Sequence, residues 1–588
     1  MNIVICNAVG VDREGNYIVH SPSRWSFSMN NYDDVFTYYP WELAYTSSLL
    51  KQRTSHRVKF LDPCLEKWAS EETERRILAE KPDLVIMEPS SRTFREDWAV
   101  AQEVRNRTGA KICLAGQHAS AFPEDLSKEA DYVVMGEYEE TVLDIVSGKD
   151  RSKIAGLYPN GRRPSADVAK LPWPEDTDVS RIRYAVPGEP NCEYTEIQMY
   201  ASRGCPFECN YCASGTIYFA GFRPRDVNDV ADEIESLGRK YPECEGFFLD
   251  EEEHNTRKPY VLALCEEFRR RGLDRYKFDA MCAYFNLDRQ VLETMASAGY
   301  YKIRAGVETA SAAVAEGMDL GAKFNLEKLY ESMTICKELG LHFYGTFTIG
   351  GWGSTREEDL KTARMIEDIS AKGLLHDLQM SINTPQPGTP FYKKAKEAGV
   401  LLTEDWHKFD GGRQAVVSYP NYSAAEILQT YDDVLRHYDR GLYRRNRELF
   451  LKRFGETFGA VGGRPTRGSA RRVLLLRSTR MWHIRLAVEG LRSSGAEVEL
   501  LGQNRIQRDV PSVGGVSKFY SYGDGHFHSD SIEAPLLRAL RDQHYDLILV
   551  PYNNMTGRSY ENVRSVARGI AADCVAAVAY DGSIHPIR

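Results

Sequence analysis

The stretch Ser202-Arg203-Gly204-Cys205-Pro206-Phe207-Glu208-Cys209-Asn210-Tyr211-Cys212-Ala213 decides how this chain is read. It sets three cysteines at C-x3-C-x2-C directly after a run, Ile197 to Ser202, that reads as a β-strand. Three thiolates at this spacing can converge on one cuboidal iron–sulfur cluster, holding three of its irons and leaving the fourth without a protein ligand. An open coordination position is what distinguishes catalytic metal sites from closed structural ones. A zinc ion would want a fourth Cys or His close by, and none follows within the loop. The other nine cysteines are scattered: Cys6, Cys64, Cys113, Cys192, Cys244, Cys265, Cys282, Cys336 and Cys574. Several stand inside expected strands or helices, where a small buried hydrophobe explains them.

Around the loop, strands and helices alternate from about Tyr194 to Ile382. The further strand candidates are Gly246–Asp250, Tyr276–Cys282, Tyr301–Val307, His342–Ile349 and His376–Ile382. Between them, Val227, Val230, Ala231, Ile234 and Leu237 share one helical face before Gly238. Leu326, Leu329, Met333 and Cys336 share another before Gly340. Six β/α units are too few for a closed barrel, so a partial barrel is expected over 194–382.

Upstream, residues 1–150 also alternate. Ile3 to Val9, Arg57 to Leu61, Asp83 to Met87, Lys111 to Ala115 and Asp131 to Met135 are short apolar strands, with helices at Pro40 to Lys51 and Glu71 to Glu80. This is the pattern of a parallel sheet covered on both faces, whose ligands sit beyond the carboxyl ends of the strands. Those ends are Leu61-Asp62, Met87-Glu88-Pro89-Ser90, Ala115-Gly116-Gln117-His118 and Met135-Gly136-Glu137. Residues 151–193 carry Pro159, Pro164, Pro172, Pro174, Pro187 and Pro190 and read as a linker wrapped between domains, anchored by Tyr158, Leu171, Trp173 and Tyr184. A mainly helical extension follows over 383–458, then a Gly/Arg/Pro-rich connection. Residues 471–588 form a small α/β domain with strands at Arg472 to Leu476 and Asp546 to Val550.

Bulk properties narrow the function classes. In 588 residues, 75 basic and 84 acidic side chains leave a net charge of −9, which offers no electrostatic footing for nucleic acid. No run approaches the ~18 apolar residues of a membrane span. Met1 to Val11 is followed at once by Asp12-Arg13-Glu14 and reads as a strand rather than a signal peptide. A cytoplasmic protein with reduced thiols is expected, where clustered cysteines serve metals or catalysis.

The loop Cys205-Pro-Phe-Glu-Cys209-Asn-Tyr-Cys212 resembles the signature of the radical S-adenosylmethionine (SAM) enzymes, with Tyr211 in the customary aromatic position. Supporting matches are Asp250 ending the second strand, Gly306-Val307-Glu308-Thr309, the glycine-rich Gly350-Gly351-Trp352-Gly353-Ser354-Thr355, and Pro387-Gly388-Thr389-Pro390-Phe391-Tyr392. The resemblance spans Tyr194 to Asp410. It implies a 4Fe-4S cluster on Cys205, Cys209 and Cys212 and a SAM site involving Tyr211, Asp250, Glu308, Gly350 and Gly351. Glu308 would accept hydrogen bonds from the ribose hydroxyls or the amino group; the plainer alternative is a strand-end carboxylate in a salt bridge.

The upstream sheet resembles the cobalamin-binding domain that precedes the radical domain in the class B methylases. The matching stretches are Tyr39-Pro40-Trp41, Val58 to Asp62, Lys81 to Val85, Ala115 to Ala119 and Asp131 to Glu137. It implies a corrinoid near Asp62, Ser90, Gly116, Gln117, His118, Gly136 and Glu137. One departure stands out: Asp62-Pro63-Cys64 puts Cys64 where the family's cobalt-ligating His would stand, so cobalamin is expected without a lower protein ligand, and a domain that has lost cobalamin is the alternative. His118 is expected at a loop or ring edge. The last domain vaguely resembles half of a glycosyltransferase Rossmann-like unit and is expected to dock or present substrate.

The function these resemblances imply is methylation of an unactivated carbon or a phosphorus centre of a small molecule or biosynthetic intermediate. One SAM would remethylate the corrinoid, a second would supply the 5′-deoxyadenosyl radical, and methylcobalamin would give up the methyl group. Flavodoxin or ferredoxin is the expected electron donor. A radical cyclase or rearrangement enzyme is the alternative, and a non-catalytic corrinoid or iron–sulfur sensor a third.

Overall fold

The computed structural model describes residues 1–20, 27–29, 36–188, 192–214, 221–411, 414–459, 471–524, 527–528, 531–553, 560–571 and 574–587. The chain divides into two compact units, Met1–Thr362 with Leu374–Asp433, and Ala363–Gly373 with Val434–Arg588.

The first unit opens with β1 (Asn2–Cys6), a hairpin of β2 (Tyr17–Val19) and β3 (Phe27–Met29), then β4 (Arg57–Leu61), β5 (Leu84–Met87), β6 (Lys111–Leu114) and β7 (Tyr132–Val133). Without the hairpin these make a parallel sheet in the order β4-β1-β5-β6-β7. Its strands are apolar on both faces because both are covered: Ile3, Ile5 and Ile86 enter one core, and Val4, Cys6, Val85 and Met87 the other. β1 stops at Cys6, short of the expected Val9; Asn7 keeps its N–H on the Leu61 carbonyl at 3.1 Å and donates from Nδ2 to Asp62 at 3.0 Å. The hairpin was not expected.

Next come β8 (Glu196–Met199), the short pair β9 (Ser202–Arg203) and β10 (Arg223–Pro224), then β11 (Gly246–Leu249), β12 (Lys277–Met281), β13 (Tyr300–Glu308), β14 (His342–Ile349) and β15 (Asp377–Ile382). Six of these form one all-parallel sheet in the order β15-β14-β13-β12-β11-β8. Neighbours in the sheet are successive large strands of the chain, the open partial barrel that the alternation implies. The antiparallel pair β9–β10 sits where the cysteine loop leaves the sheet. Gly204 ends β9 at φ +89°, and a Cβ there would lie 2.0 Å from the carbonyl oxygen of Gly221, so only glycine closes this turn.

Among its described residues, the segment 151–193 has only short 3-10 turns, as its prolines require. It is anchored by charge. Arg181 is buried, pairs with Glu233 and donates from Nη2 to the Gln198 carbonyl at 2.7 Å. Arg225 reaches the other Glu233 oxygen at 2.6 Å and the Tyr200 carbonyl at 2.7 Å. Two guanidinium groups thus share one buried carboxylate.

The second unit contains most of a 35-residue helix, Ala424–Phe458, and a sheet of β16 (Arg472–Leu476), β17 (Glu497–Gly502), β18 (Val516–Ser521), β19 (Leu547–Pro551), β20 (Val575–Val578) and β21 (Ile584–Pro586). The order is β18-β17-β16-β19-β20-β21, parallel except for the last pair. The expected strands Arg472 to Leu476 and Asp546 to Val550 are β16 and β19, neighbours at the centre of a doubly wound sheet. β17, β18, β20 and β21 were not read from the sequence; β18 is a partly exposed edge strand whose Ser517, Lys518 and Ser521 interrupt any apolar run.

Removing the carboxylate in Glu233→Ala leaves Arg181 and Arg225 buried with one partner fewer each, a loss of about 3–5 kcal/mol for a broken buried pair. Urea unfolding of the first unit should shift to lower denaturant by that amount. A change below about 1 kcal/mol, the range of an exposed pair, would show that the pairing is peripheral.

Candidate active site

The cysteine loop leaves the sheet after β9. Cys209 is buried, with Cys205 and Cys212 partly so. Cys209 packs on Val314, Ala315, Met318 and Leu320, with Phe207, Tyr211 and Phe324 beside it. Asn210 fixes the loop from below, donating from Nδ2 to the Gly317 carbonyl at 2.7 Å and Asp319 at 2.9 Å. Its own carbonyl accepts from the Phe391 N–H at 2.9 Å, so the Pro387–Tyr392 motif holds the loop. Burial pushes the Cys209 thiol up to about 12 and Cys205 higher still. The free thiols therefore keep their protons, and binding iron must release them.

The acidic run Asp250-Glu251-Glu252-Glu253 after β11 organises the loop, and reading the sequence missed all of it except Asp250. Asp250 is buried at the strand end. Glu252 accepts from the Gly204 N–H at 3.1 Å. Glu251 accepts weakly from the Ala201 N–H at 3.4 Å and bonds His254 at 2.6 Å. Glu253 pairs with Lys323 at 2.8 Å. The ammonium of Lys323 is buried among Glu253, Cys209, Cys205 and Glu308, which together hold its pKa well above the usual lysine range against the opposing burial. A cation held beside Cys205 and Cys209 would offset the negative charge of a thiolate-bound cluster. Lys323 ends a single 3-10 turn, Gly321–Lys323, with no periodicity to mark it; the run of acids after a strand end was the available clue.

Glu308 ends β13 at φ +66°, a conformation uncommon for a side-chain-bearing residue. Burial raises its carboxyl to about 7, opposed by the Lys323 charge and by the hydroxyl of Tyr211, which donates to it. The structure thus joins Tyr211, Glu308 and the cysteines in one pocket. In the glycine-rich turn, Gly350 donates its N–H to Asp359 at 2.9 Å, while Tyr419 donates to the Gly350 and Gly351 carbonyls at 3.0 Å each. A Cβ on Gly351 would lie 2.7 Å from Met318 Sδ and 3.2 Å from Asn383 Nδ2. Asn383, just past β15, is buried, and neither amide atom has a hydrogen-bond partner; Gln386 Nε2 and Ser202 Oγ are the same. Orphaned polar atoms at the carboxyl ends of a sheet fit a polar cosubstrate. Asn383 was not singled out from the sequence.

The strand ends of the first sheet divide into two groups. Asp62 is spent on the fold, accepting from Asn7, from the N–H groups of Cys64 and Leu65, and from Tyr184 at 2.6 Å. Glu137 is taken by Arg203, Arg223 and the Ala166 N–H. Ser90 is buried, with its N–H on Asp97 and its hydroxyl accepting from the Arg92 N–H. His118 stacks on Phe94 at 4.2 Å and meets Ser91 at 3.1 Å, and burial lowers it to about 3, so it stays neutral. Cys64 is buried and donates to the Ala8 carbonyl at 3.4 Å. The second group stays available. Gly116 has φ +90° and faces the Glu88 side chain, which a Cβ would strike at 2.4 Å. Gln117 Nε2 has no partner, nor does either oxygen of the buried Glu42. Gly136 is buried, yet a Cβ there would meet nothing within 4 Å. Open internal space beside an unpaired amide fits a corrinoid fringed with amides.

Arg203 connects the two regions. It is buried, two residues before Cys205, and its Nη1 lies 2.7 Å from Glu139 and 3.4 Å from Glu137 past β7.

Residues 199–406 match the model of the radical SAM superfamily and residues 35–146 that of the B12 binding domain. The chain carries a radical SAM domain and a B12 binding domain. Its two domains imply a 4Fe-4S cluster with SAM, and cobalamin. The chain is 27% identical over 387 residues to an uncharacterized methyltransferase of Pyrococcus horikoshii, covering 63% of this chain and 81% of that one. It is 26% identical over 379 residues to the anaerobic magnesium-protoporphyrin IX monomethyl ester cyclase of Cereibacter sphaeroides, covering 60% of each. Among solved structures, the radical SAM methyltransferase TsrM of Kitasatospora setae superposes with a TM-score of 0.52 at 19% identity, over 68% of this chain and 77% of that one, a likeness of fold. No helix among the described residues is long and apolar enough to cross a membrane.

The Lys323→Met protein should keep its iron but lower the cluster's reduction midpoint by about 60 mV, a tenfold change in a one-electron equilibrium. Spectroelectrochemical titration of the reconstituted protein measures it, and an unchanged midpoint would place the ammonium outside the cluster's field. Cys209→Ala should lose cluster absorbance and 5′-deoxyadenosine formation together.

Proposed function

We propose that this protein transfers a methyl group to an unactivated carbon or a phosphorus centre of a small-molecule substrate or biosynthetic intermediate. The observation that carries the proposal is the buried Arg203 contact, which ties the loop of the cluster cysteines to the strand ends that fit a corrinoid. The methyltransferase among its relatives supports the same reading. When bound, the cluster with SAM supplies a carbon radical and the corrinoid supplies a methyl group.

The chain's own residues bind, orient and exclude water. Cys205, Cys209 and Cys212 hold the cluster, and Lys323 offsets its charge. Glu308, kept in place by the Tyr211 hydroxyl, presents a carboxyl to the ribose or amino group of SAM. Asn383 offers a free amide beside the glycine-rich turn. Met318 and its apolar neighbours close one side of the loop to water. Gly116, Gly136, Gln117 and Glu42 shape and line the corrinoid space. Cys64, where the family's cobalt-ligating His would stand, is committed to the Ala8 carbonyl. A reduced ferredoxin or flavodoxin would deliver the electron.

The resemblance to a cyclase favours one second reading, ring formation or rearrangement without methyl transfer. The reconstituted protein, given methyl-deuterated SAM and a metabolite extract from cells lacking it, should place the label in a new product and form S-adenosylhomocysteine alongside 5′-deoxyadenosine. An unlabelled product would establish the second reading. Anaerobically purified protein should also carry corrinoid absorbance, and its absence after reconstitution would remove the corrinoid from either account.

A further inference from the structure

The sheet of the second unit has features that neither cofactor explains. In its order, the chain runs from β16 to β17 and β18 on one side and returns to β19 on the other. The connection therefore reverses at the carboxyl ends of β16 and β19, the place where open α/β sheets bind ligands. Ser478 Oγ donates to the Pro551 carbonyl at 2.6 Å and ties these two strand ends together. The loop Arg477-Ser478-Thr479-Arg480 leads from β16 into a 13-residue helix, Met481–Ser493, whose first turn no side chain caps. An uncapped helix start directs free N–H groups and a partial positive charge outward.

Polar atoms gather at the same point. Thr479 is 8% exposed and its hydroxyl has no hydrogen-bond partner among the described residues; Tyr552, just past β19, is 5% exposed and its hydroxyl faces the Arg564 guanidinium. Arg477 spends Nη1 on Gln503 at 3.0 Å, its buried Nε has no partner, and no carboxylate among the described residues pairs with it. Arg505 adds positive charge: burial and that neighbour lower Arg477 to about 10. Asp439 faces the group but already holds Arg480 at 2.7 Å, and Asp524 accepts the backbone N–H of Arg505. A half-buried guanidinium whose facing carboxylate is engaged by Arg480, and a buried hydroxyl without a partner, at an uncapped helix start, lack one shared component. That component is an oxyanion with several acceptor atoms.

We propose that the last domain binds a phosphate group in this crevice, through the first-turn N–H groups of the Met481–Ser493 helix, the hydroxyls of Thr479 and Tyr552, and the guanidinium of Arg477. The phosphate is either inorganic or carried by a nucleotide. This site makes the domain a binding module with its own ligand, independent of the radical chemistry in the first unit.

Calorimetric titration of the full chain in phosphate-free buffer, with inorganic phosphate in one arm and adenosine diphosphate in the other, tests this. Saturable binding of at least one probe is expected. Binding of both with like affinity identifies the phosphate alone as the ligand, and binding of the diphosphate only identifies a nucleotide. Arg477→Gln should weaken the binding about tenfold or more, as expected for loss of a charged donor. Tyr552→Phe and Thr479→Val each remove a single hydroxyl and should weaken it by a smaller factor, while 5′-deoxyadenosine formation is unchanged in all three. Because Tyr552→Phe deletes one oxygen atom, it decides the matter even if Arg477→Gln fails to fold. Failure of both probes to bind the wild type, or equal binding by the wild type and Tyr552→Phe, would overturn the proposal.

Discussion

A buried guanidinium must have partners, and Arg203 finds them on the far side of a domain boundary. Two residues later the chain reaches the first cluster cysteine, so whatever fixes Arg203 also fixes the start of the cysteine loop. Its partners, Glu137 and Glu139, follow the last parallel strand of the corrinoid-type sheet, and its guanidinium lies 4.6 Å from the Tyr45 ring centroid. Glu42 and Glu139 are both raised by burial and lowered by the Arg203 charge, so several carboxyls share one cation in a dry interior. Separating the sheets would strand these charges, at a cost of several kcal/mol per ion. The surrounding contacts repeat the design. Trp41 stacks on Tyr200 at 4.0 Å, and the Tyr39 N–H reaches Gln198 at 2.9 Å, so the Tyr39-Pro40-Trp41 motif joins the sheets.

What could be read in the sequence follows from how local each signal is. The three cysteines, the glycine-rich turn and the apolar strands are marked by spacing within a few residues, and the partial barrel and parallel sheet follow from them. Lys323 and Asn383 carry no local signal, because their roles depend on which loops the fold brings together. Asp62, Glu137 and His118 show the opposite limit. They stand at strand ends, where the general rule for open sheets places ligands, but the fold spends them on a helix cap, an ion pair and an aromatic stack. The edge strand β18 was hidden because half-exposed strands lack an apolar run.

The two units have different chemical characters. The first gathers thiols, carboxyls and a single lysine around a pocket whose unpaired atoms suit a polar cosubstrate and an amide-fringed ring. The second has a doubly wound sheet whose switch point is cationic and rich in hydroxyls. The net charge of −9 conceals this contrast, since acidic clusters inside the first unit and arginines at one crevice of the second average out over 588 residues.

The central claim is that Arg203 holds the cluster loop against the corrinoid-binding strand ends, so that both cofactors occupy one site. Electron paramagnetic resonance of protein loaded with cob(II)alamin tests this most directly, comparing the cobalt signal with the cluster oxidised and reduced. Reduction should broaden the cobalt signal through magnetic coupling to a nearby paramagnet, and Arg203→Met should weaken that broadening while both cofactors remain bound. A cobalt signal indifferent to the state of the cluster would show two separate sites and contradict the account.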